Sequence, residues 1–191
     1  MKFDTIVIDA SSIINFFKYY HSYYGFTDRQ TIFEGLKDFL VNKIKKGEII
    51  IIDKVYDELK SFEYTNFKNE IKGNVINSLN MFSEVQNLRD KYYLKENEKF
   101  YNGDSTQIES DLEKFETTHA DLFLIAECNK LKKSGKKTLL ITEENFGKDR
   151  KLIEKIPVIC KKENEDIWCR NIPFALFEHY KKELQFSLKI N

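Results

Sequence analysis

Residues that interrupt helices are scarce in this sequence, which has only 2 Pro and 7 Gly among its 191 residues. Lys and Glu, which favour helices, are abundant by contrast. Because Gly and Pro punctuate secondary structure, this balance predicts long helices with only a few short strands.

Cysteine is also scarce, and the three residues Cys128, Cys160 and Cys169 contain no Cys-x-x-Cys pair. An odd number of cysteines without regular spacing argues against a disulfide framework and favours a reducing compartment. His119 and His179 add no spacing typical of a zinc finger or zinc ribbon. We therefore expect ordinary buried thiols rather than a zinc site.

Neither an excess of charge nor a long apolar run is present. Lys and Arg together number 31, as do Asp and Glu, so any binding to nucleic acid must use local patches, and a histone-like role is disfavoured. No apolar run approaches the roughly 20 residues needed to span a bilayer. The chain opens with an apolar strand rather than a signal segment, so we expect a soluble, cytoplasmic protein without membrane contact.

Short apolar runs alternate with helical patterns along the chain, which predicts an α/β fold. We expect a single domain over 1–191, with a central parallel sheet of about four to five strands flanked by helices on both faces. A polar, largely helical insertion is expected at about 61–116. The expected strands are Thr5–Ile8, Ile49–Ile52, Thr138–Ile141 and Ile156–Cys160. Helices are expected from Ile13 to about Tyr24, from Asp28 to Gly47, after an Asp53 cap, from His119 to about Lys133, around Asp149–Ile153 and at about 171–186.

Four acidic residues lie where expected strands end or helices begin, namely Asp9, Glu58, Asp121 and Glu144. Each adjoins an apolar run, where an unpaired carboxylate is costly to bury. The carboxyl ends of parallel strands share one edge of a sheet, and functional sites lie there. Because carboxylate oxygens are the ligands of hard divalent cations, the four residues predict a metal site at this edge.

Each of the first two acids has an ordinary structural alternative. Asp9 suits a helix N-cap, although Ser11 and Ser12 could cap the same helix. Glu58 follows Asp57, and at 100° per residue only Glu58 borders the buried stripe of its helix. The alternative for Glu58 is a solvated surface charge, which is also our interpretation of Asp57.

The other two acids also have alternatives. Asp121 lies in the first turn of a helix, where the helix dipole favours an acid by roughly 0.3–1 kcal/mol. The dipole does not explain why Asp121 shares a face with apolar residues. Strand alternation places Glu144 on the same side as Thr142, with Glu143 on the opposite side. Either glutamate could reach the site if the loop breaks this alternation.

Taken in order, these segments resemble the PIN-domain ribonucleases. The resemblance rests on the strand ending in Asp9-Ala10-Ser11, the helix with Glu58, the helix Ala120–Ala126 with Asp121, and Leu140–Glu144, and it covers 1–62 and 117–160. The chain departs from that family at Glu144, where the family commonly has Asp, and in the length of its insertion.

The resemblance implies a PIN-like fold and cleavage of RNA that depends on Mg²⁺ or Mn²⁺. Asp9, Asp121 and Glu144 would be direct metal ligands, Glu58 would bind directly or through water, and Ser11 and Thr142 would orient metal-bound waters. Many bacterial members are toxins held by an antitoxin protein, whereas others act without a partner; both remain open.

Two further segments have more than one interpretation, and two other functions are alternatives to RNA cleavage. Lys148, Arg150 and Lys151 follow Glu144 and are our choice for phosphate binding, with solvated helix-end lysines as the alternative. The tyrosine-rich 19–24 segment could stack bases, pack in the core or form a homodimer. A degenerate PIN-like module that binds RNA or protein is the main alternative function. A phosphatase-like domain is disfavoured because Asp9-Ala10-Ser11 is not a D-x-D motif.

Overall fold

The computed structural model describes residues 2–23, 29–145, 147, 150–162 and 167–180. The described strands form a four-stranded, all-parallel sheet in the order β2-β1-β3-β4. Their bounds are β1 Thr5–Ile8, β2 Ile49–Ile50, β3 Thr138–Ile141 and β4 Trp168–Arg170. The expected α/β fold with a parallel sheet flanked by helices is confirmed.

The register of the two central strands decides where the site residues lie. β1 and β3 pair in parallel from Thr5 with Thr138 to Ile8 with Ile141. Every residue of both strands is buried. Asp9 and Thr142 each follow the last residue of their strand, so they are neighbours at the carboxyl edge of the sheet.

Helices cover both faces of the sheet. The chain moves from β1 to β2 on one side and later crosses back to β3 and β4 on the other. Because crossovers between parallel strands are right-handed, the helices of these two connections lie on opposite faces. The first connection contains α1 Ala10–Tyr23 and α2 Arg29–Lys45. The second face is covered by α7 Ala120–Lys133, which packs on β1 and β3, and by α8 Ile156–Lys162. α9 Ile172–His179 packs on α1.

Most of the segment 61–116 is helical and shares the main core. After α3 Asp53–Glu58, the chain forms α4 Thr65–Ile71, α5 Phe82–Tyr92 and α6 Ser105–Thr117. Short 3₁₀ turns at 62–64, 72–74, 79–81 and 95–101 connect them. Phe67, Val85 and Leu88 are buried in the same hydrophobic cluster as the sheet. α5 and α6 pack on α7, so this segment lies next to the helix that carries Asp121.

The expected fourth strand at Ile156–Cys160 is wrong, because this segment forms the helix α8. A short apolar run does not distinguish a strand from a buried helix by periodicity alone. Ile156, Ile159 and Cys160 are buried at helical spacing, and Pro157 lies in the first turn, where proline is well tolerated. The fourth strand is instead Trp168–Arg170, a partly exposed edge strand without an apolar alternation to reveal it.

Several element bounds also differ from the prediction. The first helix begins at Ala10 rather than Ile13, and β2 ends at Ile50, while Ile52 forms an isolated bridge with Ile76. Ile52, not Asp53, occupies the N-cap of α3. The Asp53 carboxylate accepts hydrogen bonds from the backbone N–H groups of Lys54 at 2.8 Å and Ser78 at 3.2 Å.

The expected short helix around Asp149–Ile153 is also wrong over 150–153, its described residues. This stretch pairs with another segment instead, through an antiparallel bridge between Ile153 and Tyr93. The expected ends at Tyr24, Gly25 and Asp28, and the last part of the helix expected to reach 186, fall outside the described residues. Along the described ranges, none of the helices is long and apolar enough to cross a membrane.

Candidate acidic site

Asp9 lies at the centre of the carboxyl edge, between the ends of β1 and β3. Its backbone N–H donates to the carbonyl of Ile141 at 3.0 Å, which continues the strand pairing by one residue. Asp9 as a whole is 7% exposed. Its carboxylate accepts hydrogen bonds from the hydroxyls of Ser11 and of Thr142, the latter at 3.1 Å. Asp9 also precedes the first residue of α1, so it occupies the N-cap position and faces the site edge at once.

Burial is the main influence on the ionisation of Asp9. Removal from water raises the pKa of this carboxyl, and the negative charge of Glu144 raises it further. The hydrogen bonds from Ser11 and Thr142 oppose this shift, but the net direction remains upward. The ionised form of Asp9 is therefore disfavoured, and a nearby positive charge would stabilise it.

Glu58 is the last residue of α3 and faces the first turn of α7. Its Oε1 accepts a hydrogen bond from the backbone N–H of Ala120 at 3.2 Å, whereas Asp57 is exposed. Helical geometry therefore distinguished the two residues correctly. Burial raises the pKa of Glu58, and the charge of Asp9 adds to the shift. The positive charges of Lys60 and Lys151 act in the opposite direction.

Asp121, in the first turn of α7, joins the other three acids electrostatically. Its helix neighbours Leu124, Ile125 and Cys128 are fully buried, as the helical spacing predicts. Burial raises the pKa of Asp121 to about 7, and Lys151 offsets part of this effect. The charges of Glu144, Asp9 and Glu58 all raise the same pKa. The four acids named from sequence thus form one electrostatic cluster, which we call the acid cluster.

Glu144 is tied to the site by three separate contacts. Its backbone N–H donates to the hydroxyl of Thr142 at 3.2 Å, and its Oε2 accepts from the backbone N–H of Ile156 at 3.0 Å. Its Oε1 lies 2.7 Å from the Nζ of Lys151. Glu144 therefore caps the first turn of α8 while its second oxygen faces the cluster.

Glu143 points to another part of the molecule. Its Oε1 accepts a hydrogen bond from the backbone N–H of Ile172 at 2.9 Å, at the start of α9. The alternation of β3 thus continues past the end of the strand, with Thr142 and Glu144 on the site side. Glu143, the alternative ligand in the sequence analysis, is not positioned with the other acids.

Lys151 is the residue whose place in the site the sequence did not reveal. The sequence predicts that it contacts phosphate, together with Lys148 and Arg150, and this stays a prediction. Its Nζ lies 2.7 Å from Glu144 Oε1 and 3.5 Å from Asp121 Oδ2, so it bridges two acids of the cluster. The guanidinium carbon of Arg150 lies 5.2 Å from the centroid of the Phe100 ring, and its phosphate contact stays a prediction. Lys148 lies outside the described residues. The side chains of the tyrosine-rich 19–24 segment are likewise outside the described part of the chain.

The acid cluster fits a hard divalent cation in the chemistry of its donors. It supplies carboxylate oxygens, and burial, with a smaller contribution from neighbouring negative charges, raises the pKa values of Asp9, Glu58 and Asp121. Within the described residues, however, no group of three or more acidic, histidine or cysteine side chains is already arranged to hold an ion. Both Glu144 oxygens have protein partners, one of them Lys151. Coordination would therefore require these side chains to rearrange.

Comparison with known proteins gives a family but no activity. The model of a domain of unknown function, DUF4411, matches residues 6–179. The chain belongs to this family. None of the curated proteins and none of the solved structures matches it. The DUF4411 match includes all of β1 except Thr5, all of β3, the acid cluster and the helical segment between β2 and β3, so these features belong to one family domain.

Proposed function

We propose that this DUF4411 protein is a metal-dependent endoribonuclease that hydrolyses RNA phosphodiester bonds with Mg²⁺ or Mn²⁺. The observation that supports this proposal is the acid cluster at the carboxyl edge of the sheet, where burial and mutual repulsion raise the pKa of Asp121 to about 7. A cluster of partly desolvated carboxylates is costly for the fold unless cations act on it. The order of these residues along the chain, which resembles the PIN-domain ribonucleases, supports the same function.

The side chains have separate roles in this proposal. Asp9, Asp121 and Glu144 would hold the cation directly, and Glu58 directly or through water. A bound divalent cation supplies positive charge that polarises a phosphodiester and lowers the pKa of water. Ser11 and Thr142 fix the Asp9 carboxylate, since both hydroxyls donate to it. Glu58 accepts from the backbone of Ala120, so it positions the turn that carries Asp121.

The biological setting is also part of the proposal. We place the protein in the cytoplasm, where its cysteines Cys128, Cys160 and Cys169 remain free thiols, as they are in the structure. RNA is the proposed substrate, and an antitoxin protein that restrains the activity is the proposed partner. The resemblance to bacterial toxin ribonucleases supports this partner. Co-purification with the product of the adjacent gene tests it, and a chain that is harmless when expressed alone would contradict the toxin role.

Cleavage of a mixed RNA substrate with Mn²⁺ or Mg²⁺ tests the activity directly. Asp9→Asn and Asp121→Asn should each lower the rate by roughly 100- to 1000-fold, since each removes a charge that acts on the reacting centre. Asp57→Asn is the matched control, because Asp57 is an exposed acid one residue from Glu58. Equal cleavage by wild type and both site variants would contradict the assigned site.

A binding module with a degenerate site is the second candidate, and one observation favours it. Lys151 already compensates Asp121 and Glu144, as an internal cation would in a site without a metal. Thermal unfolding with added Mn²⁺ separates the candidates. A metal present at 100 times its dissociation constant adds about 2.7 kcal/mol to the unfolding free energy. Absence of both this stabilisation and RNA cleavage would favour the degenerate module.

A further inference from the structure

Lys151 stands in the acid cluster as a positively charged partner of two carboxylates. Its ammonium is 2.7 Å from Glu144 and 3.5 Å from Asp121. Its charge also opposes the upward shift that burial causes in the pKa of Glu58, so its influence extends to a third acid. One monovalent cation is thus shared among acids that carry several negative charges when ionised.

The backbone of Lys151 is held by the helical segment between β2 and β3. The side-chain amide of the buried Asn97 donates to the carbonyl of Lys151 at 2.6 Å. On the next residue, the carbonyl of Leu152 accepts from the backbone N–H of Leu94 at 2.8 Å. The bridge between Ile153 and Tyr93 extends this attachment. These contacts fix the backbone position from which the Lys151 side chain reaches the acid cluster.

The side chain itself is far less constrained than its backbone. It is 42% exposed, compared with 22% for Asp121 and 19% for Glu144. Exposed ion pairs are typically weak, so the ammonium can leave its partners at low cost. A divalent cation has twice its charge and can take oxygen ligands from several carboxylates.

We infer that Lys151 is an exchangeable counter-ion, which occupies a cation position between Asp121 and Glu144 and is displaced when a divalent metal binds. The inference rests on the metal-binding part of the proposed function. Lys151 limits repulsion within the acid cluster in the metal-free protein, and by competing for the same carboxylates it lowers the affinity for metal. The segment around Asn97 contributes by fixing the backbone position of Lys151 through its hydrogen bond to the Lys151 carbonyl.

This role differs from that of an ordinary surface ion pair in the direction in which metal affinity changes when the contact is lost. Loss of a purely structural contact would loosen the site and leave metal binding unchanged or weaker. Loss of a competing counter-ion destabilises the metal-free protein but makes metal binding tighter. Opposite changes in these two quantities are therefore the signature of exchange.

The variant Lys151→Met, which keeps the aliphatic part of the side chain, tests the inference. Titration calorimetry measures its affinity for Mn²⁺, and thermal unfolding in a chelator measures the stability of its metal-free form. We expect Mn²⁺ to bind about tenfold more tightly, equivalent to about 1.4 kcal/mol. The unfolding midpoint in chelator should fall. Lys162→Met is the matched control, since it removes a neighbouring ion pair, with Glu154, outside the cluster. It should leave Mn²⁺ affinity unchanged.

A second variant makes the test independent of how well Lys151→Met folds. Lys151→Arg retains the positive charge and should keep Mn²⁺ affinity within about threefold of wild type, less than 0.7 kcal/mol. If Lys151→Met folds only with Mn²⁺, the result supports exchange. Unchanged or weaker Mn²⁺ binding by folded Lys151→Met would overturn it, as would a chain that stays unfolded with Mn²⁺ present.

RNA cleavage by the wild-type protein separates this inference from the proposed function. Tighter Mn²⁺ binding by Lys151→Met in a protein that cleaves no RNA would support the exchange and reject the nuclease. Metal-dependent cleavage by wild type, with equal Mn²⁺ affinity in both proteins, would retain the nuclease and reject the exchange.

Discussion

The hydroxyl of Thr142 donates to the carboxylate of Asp9 at 3.1 Å and thereby joins the ends of the two central strands. The same oxygen accepts from the backbone N–H of Glu144 at 3.2 Å. Thr142 is 1% exposed, so water cannot replace either hydrogen bond without a rearrangement. One buried hydroxyl therefore couples the position of Asp9 to that of Glu144.

Thr142→Val should lower the free energy of unfolding by about 1–3 kcal/mol, because a buried polar group that loses its partner costs this much. Valine retains the shape of threonine but provides neither the donor nor the acceptor. Urea denaturation measures the change. Thr142→Ser retains the hydroxyl and should stay closer to wild type. Thr138→Val, at the other end of the same strand, is the positional control, and an equal loss there would contradict a special role for Thr142.

The stability of the metal-free protein should fall as the pH rises from about 4 to about 7. Asp121 has a pKa of about 7 in the folded protein, against 3.8 for the free side chain. In this window the folded state holds a proton that the unfolded state has released, so a rise in pH favours unfolding. The raised pKa values of Asp9 and Glu58 act in the same direction. Thermal unfolding in chelator at a series of pH values measures the slope.

Asp121→Asn should make this dependence shallower and raise the unfolding midpoint at pH 8, where wild type must carry the buried charge. A gain of 1 kcal/mol corresponds to roughly 2–4 °C for a chain of this size. Asp57→Asn, which changes an exposed acid, should leave the slope as it is. A variant with the wild-type slope would show that Asp121 does not titrate in this range.

Glu58→Gln and Glu58→Ala should separate charge from hydrogen bonding. Glutamine retains an oxygen that can accept from Ala120, whereas alanine leaves the first turn of α7 without this partner. Since the N-cap residue His119 provides no side-chain cap, we expect Glu58→Ala to cost about 1 kcal/mol, within the usual range for a lost cap. Glu58→Gln should stay near wild type in urea denaturation. Both variants should lose RNA cleavage; full activity in Glu58→Gln would assign Glu58 a purely structural role.

The adjacent residues Glu143 and Glu144 should behave oppositely in the cleavage assay. Glu143→Ala removes an acceptor for the first turn of α9 and should lower stability by about 1 kcal/mol with cleavage retained. Glu144→Ala removes a carboxylate of the acid cluster and should abolish cleavage. A strong loss of activity in a stably folded Glu143→Ala would show that the two glutamates exchange places in the working site.

Local patterns were sufficient to predict the parts of the site that each element positions by itself. The apolar run Thr5–Ile8 and the run Thr138–Ile141 match their strands residue for residue, because central parallel strands are buried on both faces. Helical angles were enough to distinguish Glu58 from Asp57. Strand alternation separated Glu144 from Glu143, and the hydrogen bond from Ile172 to Glu143 gives the reason.

The features that depend on distant segments were not predictable in this way. The carbonyl of Lys151, whose ammonium contacts two of the acids, accepts a hydrogen bond from Asn97, 54 residues earlier. No pattern around Lys151 encodes that contact. The short apolar run Ile156–Cys160 is compatible with either a buried strand or a buried helix. In the structure it is a helix that packs on α7. The edge strand Trp168–Arg170 is too short and too exposed to show a period.

The residues of the acid cluster and the strands that support them are synthesised at different times. Asp9 emerges early, but its donor Thr142 lies 133 residues later, and the backbone of Thr142 donates in turn to Arg170 at 3.1 Å. The hydrogen bonds that join Asp9, Thr142 and β4 therefore cannot all form on the growing chain before this last strand has emerged. At translation rates of about 5–20 residues per second, the delay is on the order of ten seconds. The carboxyl edge that holds the acid cluster is thus completed only near the end of synthesis.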